Sequence, residues 1–195
     1  MLNAALVIIQ DEHRSLAAVV QGLKHLVREM RQGGAKPDFR LLRAIVFYLQ
    51  EFPEKTHHPK ESAYLFARLR SRTREADTMI AELERQHVAG SRSILDLEQA
   101  LRRYELAIPD GLVQFSNAVD AFAELALRHM ALEESTVIPM AGKYLTAGDW
   151  VEIGAAFSPN GDPRFDVEAD QGYSALYLRI VNLAPPTNGL EPAGE

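Results

Sequence analysis

Three histidines lie in helix-forming stretches at positions where an apolar residue is expected. Along each stretch the apolar residues recur at alternating steps of three and four, the spacing of the core face of a bundle helix. His13 interrupts the first of four such series, His87 the third and His129 the fourth. Glu133 follows His129 by about one turn on the same face. A buried carboxylate is costly unless it is paired, and a divalent cation is the strongest partner for this set.

The second helical stretch supplies a matching pair in the segment HHPKE at 57–61. His57 and Glu61 are four residues apart, which places both side chains on one face of a helix. Imidazole suits iron, and carboxylates can bridge two ions in the core of a helical bundle. The four stretches therefore predict one metal-binding layer made of His13, His57, Glu61, His87, His129 and Glu133.

Pro59 leaves two alternatives for the ligand from the second helix. A proline disfavours the α conformation for the residue before it and removes one helix hydrogen bond. If the helix continues through Pro59 with a kink, His57 and Glu61 share a face. If Pro59 is instead the first residue of a new helix, His58 and Glu61 form the ligand pair.

Glycines and prolines divide the chain into four long amphipathic segments joined by short connections. The predicted helices cover roughly residues 4–31, 38–70, 73–105 and 110–146. This pattern predicts an all-α protein, an up-down-up-down four-helix bundle over residues 1–147. Residues 148–183 are predicted to form a short C-terminal helical extension packed on the bundle, with helical pieces near 150–157 and 173–183. The Pro- and Gly-rich residues 184–195 are predicted to be a disordered tail.

The composition excludes several classes of function. The chain has 195 residues and no cysteine, which rules out disulfides, thiol nucleophiles, zinc fingers and iron–sulfur clusters. A net charge of −6 without a basic stripe argues against nucleic acid and anionic membranes as partners. No stretch predicts a membrane span or a signal peptide. We therefore expect a cytoplasmic protein, as a monomer or a weak homodimer.

Taken together, the spaced motifs resemble a known family. His13, HHPKE (57–61), LERQH (83–87) and HMALEE (129–134) are similar to the motifs of the hemerythrin-like, cation-binding HHE domains, over about residues 4–147. The resemblance implies two non-haem iron ions joined by two carboxylates and an oxo or hydroxo group. It also implies His13, His57, His87 and His129 as terminal ligands, with Glu61 and Glu133 as bridges. Other divalent metals are expected to bind in vitro.

One position departs from the oxygen-carrying animal members of the family. They have an additional histidine four residues before the one that matches His87, and this chain has Leu83 there. The predicted site therefore lacks one nitrogen unless His58 or Glu84 substitutes for it. Glu134 is a further candidate ligand, although we expect it to be solvated or to contact a ligand rather than the metal.

Two more groups of residues near the motifs are assigned outside the site. Asp11 and Glu12 precede His13 and are expected to be solvated or to contact a ligand. His25 lies twelve residues after His13, about 120° around the helix, and is expected at the surface.

The predicted function is oxygen, peroxide or nitric oxide chemistry at the iron pair. Because one nitrogen is missing, an open coordination position favours turnover or sensing over reversible oxygen carriage. An alternative is a metal-dependent regulatory or interaction module, an iron or redox sensor without turnover. The sequence leaves open whether the protein is an enzyme with peroxidase- or catalase-like activity.

Overall fold

The computed structural model describes residues 4–158, and this part of the chain folds as a helical bundle. The five helices are α1 (Ala4–Arg31), α2 (residues 39–72), α3 (Asp77–Glu105), α4 (residues 111–144) and α5 (Ala147–Phe157). Short connections join the first four helices, so that neighbours in sequence run antiparallel. The predicted all-α, up-down-up-down bundle is confirmed.

Helix α2 does not stop at its prolines. It starts at Asp38, whose side chain accepts a hydrogen bond from the Leu41 amide at 3.1 Å. It then changes between α and π geometry through Phe39–Leu49, Gln50–His57 (π), His58–Lys60, Glu61–Phe66 (π) and Ala67–Arg72. A proline inside an α-helix clashes with the preceding turn and leaves a carbonyl without its donor. The wider π turns around Pro53 and Pro59 accommodate both prolines within one continuous helix.

Helix α4 contains a similar change of geometry. It runs as Gly111–Leu132, the π segment Glu133–Val137, and Ile138–Tyr144. The π segment begins at the predicted ligand Glu133 and ends just before Pro139. Both carboxylates of the predicted site therefore stand at the first residue of a π segment, a geometry often found at functional sites.

A polar layer divides the apolar core into two clusters. On α1, Ile9 belongs to one cluster and Leu16 to the other, with His13 buried between them. On α3, Leu83 and Ile94 are divided in the same way. The six predicted ligands lie at this level of the bundle, where four helices meet.

Helix α5 closes one end of the bundle. The Thr146 hydroxyl caps the helix, and the Asp149 carboxylate accepts a hydrogen bond from the Thr146 amide in return. Arg72 of α2 donates two hydrogen bonds to Asp149, at 2.9 and 2.8 Å. These donors, Arg72 first and Thr146 second, hold the pKa of Asp149 well below its usual range.

The inner face of α5 packs on α1 and α2 through Ile153 and Phe157, which are fully buried. Helix α5 begins at Ala147, and the predicted domain boundary at residue 147 stays a prediction. Residues 159–195, with the predicted helical piece at 173–183 and the predicted tail, lie outside the described part of the chain. None of the helices within residues 4–158 is long and apolar enough to cross a bilayer.

Phe157→Ala is expected to lower the free energy of unfolding by about 3–5 kcal/mol, because it removes a fully buried aromatic ring. Urea denaturation followed by circular dichroism measures the change. Val151→Ala on the same helix is the control; Val151 is 72% exposed, and its loss should change the free energy by less than about 0.5 kcal/mol. Equal effects of the two substitutions would show that α5 does not contribute to the core in solution.

Candidate metal centre

Seven buried or nearly buried side chains meet in the polar layer. They come from all four long helices: His13 from α1, His57, His58 and Glu61 from α2, His87 from α3, and His129 and Glu133 from α4. The donor atoms of six of them, all but Glu133, form two groups, each with all atoms within 4.8 Å of one another. One group is His13, His57 and Glu61, and the other is His58, Glu61, His87 and His129.

Glu61 belongs to both groups and faces a different one with each oxygen. Its Oε1 lies 2.8 Å from His57 Nε2 and 3.5 Å from His13 Nε2. Its Oε2 lies 3.4 Å from His87 Nε2. A carboxylate with one oxygen towards each of two ligand groups has the disposition of a bridge between two ions.

Glu133 also lies between the two groups. Its Oε2 is 3.5 Å from His13 Nε2 and 3.9 Å from His129 Nε2. The side chain is fully buried, like that of Glu61. The arrangement thus offers two carboxylates, from α2 and α4, to the same central space.

The Nε2 atoms of both imidazoles in the first group face the same space. His13 Nε2 and His57 Nε2 are 3.1 Å apart. A metal ion that binds two imidazole nitrogens at about 2.1 Å, at right angles, holds them about 3 Å apart. The spacing of these nitrogens therefore fits two ligands of one ion.

Several buried polar atoms of the layer form no hydrogen bond with the described residues. They are Oε2 of Glu61, both oxygens of Glu133, Nε2 of His87, Nε2 of His129 and Nδ1 of His58. Buried groups of this kind normally find a partner, because an unpaired one costs about 1–3 kcal/mol or more. A pair of cations would satisfy the oxygens and ring nitrogens together, so the residues fit a dimetal centre.

Carboxylates orient the rings of the first group from behind, the exposed Glu134 behind His13 and the buried Glu12 behind His57. His13 Nδ1 donates to Glu134 Oε1 at 2.9 Å, and His57 Nδ1 donates to Glu12 Oε2 at 2.7 Å. Such hydrogen bonds fix the ring so that Nε2 is the free nitrogen, and they strengthen it as a donor to a metal.

The rings of the second group have weaker partners. Gln86 Oε1 lies 3.2 Å from His129 Nδ1, and the Ser62 hydroxyl lies 3.4 Å from His87 Nδ1. Glu54 Oε1 lies 3.5 Å from Nδ1 of His58. All five imidazoles thus have an oxygen near Nδ1, which is the arrangement expected around metal-binding histidines.

Without metal, the first group holds protons. Burial opposes protonation of His13, but the hydrogen bond to Glu134 and the neighbouring buried carboxylates outweigh it and raise its pKa to about 9. Burial likewise opposes protonation of His57, yet Glu61 and Glu12 raise its pKa.

The pKa values of the two buried carboxyl groups are shifted in opposite directions. Burial opposes ionisation of Glu61, but the charge of His57 outweighs it and holds the pKa of Glu61 well below its usual range. Burial and the nearby charge of Glu61 raise the pKa of Glu133. Without a cation, the charge of His57 therefore favours the ionised form of Glu61, whereas burial favours the protonated form of Glu133.

Two imidazoles of the second group are kept neutral. Burial lowers the pKa of His58, and it lowers the pKa of His129 to about 2. A neutral imidazole is the form that binds a metal, so these rings are ready to act as ligands at neutral pH.

The structure brings all six predicted ligands into the layer, and their role in binding metal stays a prediction. Of the additional candidates, His58 lies in the layer, whereas Glu134 hydrogen-bonds the far side of the His13 ring. Glu84 does not reach the layer, because both of its oxygens accept hydrogen bonds from Arg70 at 2.6 and 2.8 Å. Of the two candidates for the nitrogen absent at Leu83, His58 is thus the one whose side chain lies in the layer.

The two alternatives around Pro59 are not exclusive in the structure. The helix continues through the proline, and His57 and His58 reach different ligand groups. His25 lies outside the layer, next to Arg28 on an exposed face, as expected from its position on the helix.

Sequence reasoning anticipated only some partners of the ring nitrogens. Glu12 contacts the predicted ligand His57, one of the two outcomes expected for it, whereas Gln86, buried behind His129, was not considered. Glu54 and Ser62 were not considered. The usable signal for two of them was their place beside a predicted ligand: Glu12 precedes His13, and Gln86 precedes His87.

Comparisons with known proteins agree with this geometry. Neither the comparison with curated proteins nor that with solved structures gave a significant match. The family model described as the hemerythrin HHE cation-binding domain matches residues 4–141, which include every residue of the layer. The chain therefore belongs to the hemerythrin HHE cation-binding domain family.

Proposed function

We propose that the chain is a non-haem di-iron protein that binds or reacts with dioxygen, peroxide or nitric oxide. The observation that carries the proposal is the position of Glu61, which contributes one oxygen to each of two histidine groups. A donor set of imidazoles and shared carboxylates, in a chain without cysteine, suits iron. We propose that Glu61 and Glu133 would bridge the two ions, together with an oxo or hydroxo group.

The proposed terminal ligands differ in number between the two ions. His13 and His57 would hold one ion, and His58, His87 and His129 would hold the other. Iron in such a site supplies redox chemistry with small oxygen and nitrogen molecules. The side chains behind the ligands keep the imidazoles oriented, and the apolar clusters on both sides of the layer limit the access of water.

Metal analysis tests the proposal directly. Protein from iron-replete cells is expected to contain close to two irons per chain, with oxo-to-iron absorption in the near ultraviolet, because six donor side chains form two groups that share Glu61, and Glu133 lies between these groups. Iron below about half an equivalent that reconstitution does not raise would contradict the proposal.

A second candidate function is supported by the contact of α5 with the layer. The ring of Phe157 lies edge-on to His57, with 6.3 Å between ring centres. A movement of the His57 ring on metal binding would therefore alter the packing of α5. A metal-dependent regulatory module without turnover requires a coupling of this kind. Reaction of the reduced protein with peroxide separates the two functions: consumption of peroxide supports oxidant chemistry. A change in hydrogen exchange of α5 without consumption supports the regulatory module.

A further inference from the structure

A surface groove lies between the second half of α2 and the helix α5. Ala63, Tyr64 and Ala67 of α2 line it, together with Glu152 and Ile153 of α5. Its volume is about 230 Å³, which is below the range of about 300–1,000 Å³ for sites that enclose a small-molecule ligand. The groove is therefore better suited to a row of side chains from a neighbouring segment of protein.

The charged groups at the groove are already paired with each other. Arg68, which also lines it, forms an ion pair with Glu152, and its Nε lies 3.4 Å from Asp149 Oδ1. An anionic occupant would have to compete with two carboxylates for this guanidinium group, and a cationic one would compete with the guanidinium group itself. This arrangement favours an occupant with little charge of its own.

The groove connects an exposed aromatic ring to the apolar core. Tyr64 is 47% exposed, whereas Ile153 is buried in the apolar cluster that contains Ile9. Aromatic side chains are enriched where two protein surfaces meet, because a rigid ring buries a large area at a low cost in conformational entropy. An apolar segment that covers the groove would extend the existing core outwards.

The sequence after the described residues contains a segment with these properties. Residues 173–183 read YSALYLRIVNL, and Arg179 is the only charged residue among them. Tyr173, Leu176, Tyr177 and Ile180 have the spacing of one face of a helix. The segment therefore offers an apolar face to a groove whose charges are already paired.

The connection is long enough to bring this segment back to the groove. Helix α5 has 11 residues, which corresponds to a length of about 16 Å. The 14 residues 159–172 can span at most roughly 50 Å. A chain that leaves α5 at its end can thus return along the whole length of the helix.

We propose that residues 173–183 of the same chain bind in the groove between α2 and α5 as an amphipathic helix, with Tyr177 next to Ala67. This contact would hold α5 on α2, in addition to the hydrogen bonds from Arg72 to Asp149. The inference does not depend on the metal or on the proposed reaction.

The first test is crosslinking in the full-length chain, which has no cysteine of its own. Ala67→Cys combined with Tyr177→Cys should give an intramolecular product with a short bismaleimide, identified by mass spectrometry of the tryptic peptides. Ala89→Cys combined with Tyr177→Cys is the matched control, because Ala89 is exposed on α3. We expect at least about tenfold less product from the control pair, since the effective concentration of the two thiols is lower.

Equal yields from the two pairs would overturn the inference. Crosslinked dimers in place of crosslinked monomers would overturn it as well, because the occupant of the groove would then be a second copy of the chain.

The second test is hydrogen exchange of residues 173–183, with circular dichroism to verify that each variant is folded. Ala67→Glu places a carboxylate in the groove and should raise the exchange rate of these amides by at least about tenfold, because burying an unpaired charge favours the undocked segment. Ala89→Glu should leave the rate unchanged. Exchange of residues 173–183 in the unmodified chain as fast as in an unstructured peptide, or equal rates in the two variants, would overturn the inference. Iron content is measured separately, so a chain without iron that gives the expected crosslink contradicts only the proposed function.

Discussion

Glu61→Ala is expected to remove both metal ions from the protein. Each oxygen of Glu61 faces a different histidine group, so one substitution takes a ligand from both ions. It also removes negative charge from between two cations, whose mutual repulsion is strong in a buried layer. Metal analysis of the purified variant should find iron near zero per chain.

Two further substitutions serve as controls that distinguish the loss of a bridging ligand from the loss of another side chain. His58→Ala removes a member of only the second group and is expected to leave the ion at His13 and His57 in place. His25→Ala, outside the layer, should leave the metal content unchanged. A Glu61→Ala protein that keeps one firmly bound ion would show that Glu61 is a terminal ligand and not a bridge.

The metal-free protein is expected to lose stability as the pH rises from about 6.5 to about 9. The pKa of His13 is raised to about 9 in the folded state. Protonation of His13 therefore contributes fully to the stability below the pKa of the unfolded chain, near 6.5. This contribution is lost as the pH rises through about 9. That difference corresponds to about 3 kcal/mol. The raised pKa values of His57 and Glu133 act in the same direction, because the folded state holds more protons than the unfolded chain.

The iron form provides the comparison for this prediction. Its ligands are already deprotonated, so stability between pH 7 and 9.5 should change much less than in the metal-free form. Urea unfolding of both forms at several pH values gives the two curves. Parallel curves would mean that the protons of His13 and its neighbours do not stabilise the metal-free layer.

The sequence was sufficient to predict the four long helices and the level of the bundle at which the polar groups meet. The predicted first helix, 4–31, has the bounds of α1, because the spacing of its core face continues on both sides of His13. Histidine at a core position of three helices located the layer, since helical spacing alone fixes which side chains share a face. The third helix starts at Asp77 instead of near 73, because Thr73 is extended and its hydroxyl accepts a hydrogen bond from the Glu75 amide.

The geometry around Pro59 could not be obtained from periodicity. An α-helix and a π turn differ by less than one residue per turn, and the loss of period after Phe52 is compatible with a kink, a new helix or a π segment. Packing against the other helices selects among them. The partners behind the imidazoles, such as Glu12 and Glu134, depend on contacts between distant parts of the chain, which a local pattern does not contain.

The division of the core has a consequence for how the bundle unfolds. Each long helix passes from one apolar cluster to the other through the polar layer, and the clusters bury their side chains separately. Apolar clusters that are only weakly joined can open as separate cooperative units. Ions bound by residues of all four helices would join the two halves at that level. Metal occupancy would then decide whether the domain unfolds as one cooperative unit or as two.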